Sequence, residues 1–65
     1  MSLDATRAVI IEFHVIGNVV KVTAFDEESL TEVVIQGARG TAEEILKKIA
    51  LQKLEYMLRK KKVIA

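Results

Sequence analysis

Gly17-Asn18 separates two runs of β-branched residues whose apolar positions mirror one another about it. Two residues beginning with glycine, set between such runs, specify a tight hairpin turn. The turn then dictates the register. Ile16 falls opposite Val19, Val15 opposite Val20, Phe13 opposite Val22 and Ile11 opposite Ala24. Apolar meets apolar at each step, and a slip of one residue would turn every side chain to the wrong face. After the polar turn Asp26-Glu27-Glu28-Ser29-Leu30-Thr31, a third strand over 32–36 sets Val33 and Ile35 on the face of Val22 and Ala24. Residues 8–36 are thus expected to form an antiparallel meander with one apolar face. The opposite face is mixed: His14 is expected beside Lys21 and Gln36, and Glu12 beside Thr23 and Val34, with Ile10, Ile16, Val19 and Phe25 among them. A fully solvated face would carry fewer large apolar groups.

Residues 41–62 predict one long helix, free of proline and glycine. Thr41-Ala42-Glu43-Glu44 has the capping-box pattern, with Thr41 as the N-cap and Glu44 reaching back to its amide. Glu43/Lys47, Glu44/Lys48 and Glu55/Arg59 are spaced four apart with the acid first, the favourable order. At 100° per residue the apolar arc is too wide for one sheet face to cover. Ile45, Leu46, Ile49, Ala50 and Met57 form one stripe, assigned to the sheet. Leu51, Leu54 and Leu58 form a second beside it, assigned to a partner.

Composition points the same way. The 65 residues make one domain, 1–65, and a chain of this length buries only about 60% of its unfolded surface. It has no cysteine, which excludes disulfides and thiolate zinc sites, and its single histidine is too few for a His-rich metal site. Yet 51% of the residues are hydrophobic, and oligomerisation is the remaining way to bury them. The expected architecture is α+β, a three-stranded meander followed by one helix (βββα), assembled as a homodimer or homotetramer. Leu51, Leu54 and Leu58, with Ile10, Phe25 and Val34 of the mixed face, are the expected interface. Residues 1–7 read as a flexible leader with an acidic residue and no apolar core, unlike a secretory signal. The longest apolar run, Ala8-Val9-Ile10-Ile11, is far short of a membrane span, so a cytoplasmic location is expected.

Three stretches bear on chemistry. Gln36-Gly37-Ala38-Arg39-Gly40 before a helix offers glycines, amides and a cation to an anion, but it lacks the lysine of a phosphate loop. Glu43 and Glu44 would repel a phosphate there, so a strand-to-helix reversal explains it better. His14 is the one candidate for acid–base work, and only a pocket between subunits would give it the dry surroundings catalysis needs. A non-enzymatic role with no cofactor is expected. Arg59-Lys60-Lys61-Lys62 closes a basic C-terminal third that follows an acidic remainder. Such a cluster can release counterions from nucleic acid or another polyanion, or complement the negative end of the helix.

With Glu12-Phe13, Ile16-Gly17, Val20-Lys21-Val22-Thr23-Ala24 before Asp26, Thr31-Glu32-Val33 and Lys53-Leu54-Glu55-Tyr56-Met57-Leu58, the chain resembles a family of short bacterial proteins of unknown function. The likeness runs over residues 11–61 and departs from the family at Glu27-Glu28-Ser29-Leu30. It implies this fold and brings no activity. The function expected is a homo-oligomeric interaction module, or a small accessory subunit docking on a larger protein. The alternative is polyanion binding through Arg59 to Lys62.

Overall fold

A computed structural model describes residues 7–64. Strands β1 (Val9–Ile16), β2 (Val19–Asp26) and β3 (Thr31–Ala38) form an antiparallel sheet in chain order, followed by helix α1 (Glu43–Lys60). The fold is α+β, βββα. The hairpin register is the one its turn dictates, Ile16 on Val19 through Ile11 on Ala24, and Ala24 and Val22 meet Val33 and Ile35 of β3. Gly17 takes a positive φ of 60°, as the first central residue of a type II′ turn requires. The second turn instead places Leu30 at φ 58°, unusual for a branched side chain.

The core lies between the sheet and the helix. Val20, Val22, Ala24 and Val33 supply its floor, and Leu46, Ala50, Leu54 and Leu58 its lid. These four helical residues recur every fourth position and so share one side of α1. The helix lies over β2 and β3, leaving β1 to the side. Ile11 and Phe13 are therefore only half-buried, and Val15 is 53% exposed.

Both ends of the helix depart from expectation. It begins at Glu43 rather than Thr41, with Ala42 as N-cap in an extended conformation and no side-chain cap. The Thr41 amide instead donates to the Ala38 carbonyl, 3.0 Å, which closes the turn out of β3 and prevents the capping box. Alanine is a poor N-cap. Ala42→Ser is accordingly expected to stabilise the fold by about 1 kcal/mol, whereas Thr41→Ala loses no cap; thermal unfolding of the two variants checks both. At the other end the Lys62 amide donates to Arg59 O, 2.9 Å, and the Val63 amide to Leu58 O, 2.8 Å. With Lys62 at φ 62°, this is a Schellman closure, and it ends the helix at Lys60 rather than Lys62.

Candidate functional site

The phase of the helix decides which residues are free to meet anything else. Leu54 and Leu58 are 0% exposed, so they belong to the chain's own core and not to a partner-facing stripe; Leu51 is half-buried. At Gly37 the missing Cβ leaves room for the Leu46 side chain, which settles onto β3 there, and the Leu46-Ala50-Leu54-Leu58 edge faces inward. Ile45, Ile49 and Tyr56, the first two expected against the sheet, are the apolar residues left outside. Spaced at i, i+4 and i+11, they lie along one side of the helix.

The outer sheet face matches expectation in its pairing. His14 lies beside Lys21 and then Gln36, and Glu12 beside Thr23 and then Val34. Ile10 and Ile16 are exposed on it, 44% and 61%, while Phe25 and Val34 are half-buried. His14 is exposed, with Lys21 as its cross-strand neighbour. Among the described residues no group of three or more histidine or carboxylate side chains is placed to hold a metal ion. None of the described helices is long and apolar enough to cross a membrane.

The glycine stretch divides between two elements. Gly37 and Ala38 belong to β3, and the Arg39 amide donates to Asn18 O at 3.0 Å. That amide is thus committed to the sheet and unavailable to an anion. The basic cluster is also partly engaged. Arg59 Nη2 lies 3.1 Å from Glu55 Oε2, and Lys61 Nζ donates to Thr31 Oγ1 at 3.4 Å. Arg59 and Lys60 complement the dipole in the last helical turn.

A buried polar cluster was not expected from the sequence. Asp26 follows Val20, Val22 and Ala24 in the inward alternation of β2 and is 0% exposed, beside Thr31 on β3. Its Oδ2 accepts from Arg7 Nη1, 2.8 Å, from the Ser29 amide, 3.0 Å, and from the Ser29 hydroxyl. The Ser29 and Thr31 hydroxyls share a bond of 2.8 Å. Burial alone would push the Asp26 carboxyl up. The Ser29 hydroxyl and amide and the Arg7 guanidinium outweigh it and hold the carboxyl below its usual range. Arg7 also approaches Glu28, 3.5 Å. It is therefore tied to the sheet and is no part of a free leader; residues 1–6 of that expected segment lie outside the described residues. The one sequence signal was Asp26 at an inward position with a serine three residues on, the spacing at which a capping carboxylate reaches a backbone amide. The cluster closes the β2–β3 turn and pins the N-terminal approach to β1.

The model of one family, described as a domain of unknown function (DUF6898), matches residues 6–62. No curated protein and no solved structure matches the chain.

Proposed function

We propose that this chain, which belongs to the DUF6898 family, is a non-enzymatic module that works by associating with copies of itself. The observation that carries this reading is the exposure of large apolar side chains on both sides of a thin molecule. Ile45, Ile49 and Tyr56 line the outside of α1, and Ile10, Ile16 and Val19 the outside of the sheet. Scattered exposed apolar residues are ordinary, but aligned ones on a domain this small favour a partner. Of the interface residues expected from the sequence, Ile10, Phe25 and Val34 remain in the proposal. Leu54 and Leu58 leave it, because they are already covered.

Polyanion binding has less support. Arg59 is paired with Glu55 and Lys61 reaches Thr31, so the cluster has structural partners of its own. Sedimentation equilibrium at micromolar concentration tests the proposal, with a dimer or tetramer expected. A well-folded monomer overturns it. Nucleic acid copurifying with the chain, and lost as salt rises, would favour the polyanion alternative.

A further inference from the structure

The two edges of the sheet are not equivalent. The Glu27 amide donates to Ala8 O, 3.1 Å, which turns the main-chain groups of Ala8 and every second residue after it toward β2. Those of Val9, Ile11, Phe13 and Val15 consequently point away from the sheet. By the same logic, the Arg39 amide on Asn18 O leaves Glu32, Val34 and Gln36 pointing outward from β3. There Lys53 Nζ donates to Val34 O, 2.9 Å, so a lysine guards that edge. No described residue guards β1 in this way. Its eight residues, VIIEFHVI, contain no proline and no lysine, the residues that usually blunt an exposed edge.

The sequence of β1 also fits itself. Two copies paired antiparallel about a twofold axis must keep inward residues beside inward residues, so the well-overlapping registers centre on Glu12, Phe13 or His14. Centring on Glu12 sets that carboxylate against itself, and centring on His14 sets the imidazole against itself and Glu12 against Ile16. Centring on Phe13 sets Glu12 opposite His14 of the second copy, Ile11 opposite Val15 and Ile10 opposite Ile16. Over residues 10–16 every apolar residue then meets an apolar one, and Glu12 meets His14. The main-chain phase agrees. Ile11, Phe13 and Val15 make the hydrogen-bonded pairs, and Glu12 and His14 fall at the non-hydrogen-bonded sites, where side chains approach most closely.

We propose that β1 pairs antiparallel with β1 of a second copy, centred on Phe13, so that two meanders form one continuous sheet. The proposal rests on the self-association reading and names one edge of the sheet for it. It also accounts for Val15, which α1 leaves exposed, and for Phe13, which it leaves half-buried, on the helix side; the second strand brings both beside apolar counterparts.

Because the chain has no cysteine, introduced thiols report on this pairing alone. Glu12 and His14 are exposed, so Glu12→Cys and His14→Cys leave the core intact. Their Cα atoms would stand about 4.5 Å apart across the junction, within disulfide reach. A mixture of the two chains should give covalent dimers on oxidation, while either chain alone should not, its own thiols lying about 7–8 Å apart on the diagonal. In a second measurement, His14→Glu should raise the dissociation constant about tenfold, and adding Glu12→Lys to it should restore association. Cross-linking of Glu12→Cys with itself, or association indifferent to His14→Glu, overturns the pairing while the module reading stands on another face. A chain monomeric throughout overturns both.

Discussion

Arg7→Ala is expected to cost about 3 kcal/mol at neutral pH, the lower end of what breaking a buried ion pair costs, because Ser29 keeps its hold on Asp26. A domain of this length has a total stability of only about 3–10 kcal/mol. The loss should therefore show as a large fall in the urea midpoint and a detectable unfolded population. It should also depend on pH with a definite sign. The folded-state pKa of Asp26 lies below its unfolded value, so the stability it contributes is present above about pH 4 and is lost as pH falls through the depressed folded value. In Arg7→Ala the guanidinium that favours the ionised carboxylate is gone. The gap between the two proteins should then narrow as pH is lowered from 7 toward 3. A constant gap across that range would mean that Arg7 acts through packing rather than charge.

Leu54→Ala is the second large effect, about 3–4 kcal/mol, as for a leucine truncated where the surroundings cannot close the cavity. Leu54 is fully buried between the β2–β3 floor and the helix. Ile49→Ala, five residues earlier but exposed, should leave the unfolding of the isolated chain almost unchanged. Denaturant melts at a concentration too low for association separate the two. If Ile49→Ala proved the more destabilising there, the helix would be rotated from the orientation described.

The contrast between these two residues shows what the sequence could and could not convey. The sheet was readable because a period of two and a two-residue turn leave one register that satisfies Val15, Phe13 and Ile11 together. The helix phase was not, because apolar residues ran around most of its circumference and no direction stood out. The fit of Leu46 over Gly37 suits the direction taken, and it is a contact between elements that no local periodicity records. The capping box at Thr41 failed for a similar reason: its amide had a better use in the turn from Ala38. Arg7 and Asp26 stand nineteen residues apart. Both types are ordinary on a surface, so their pairing emerges only once β1 is laid beside β2.

The order of the strands has a kinetic consequence. Because β1, β2 and β3 lie side by side in chain order, each strand pairing closes only a short loop and costs little chain entropy. Hairpins form in about 1–10 μs, and chains rich in such local contacts fold fast. Helix docking must wait, since Leu46 and Leu54 have nothing to rest on until Val22, Ala24 and Val33 are aligned. For that interval the nascent sheet carries a bare apolar face as well as an open margin. The same geometry that makes the meander quick to form thus sets a brief window of vulnerability to misassembly, and chain concentration during synthesis decides how often that window is met by another chain.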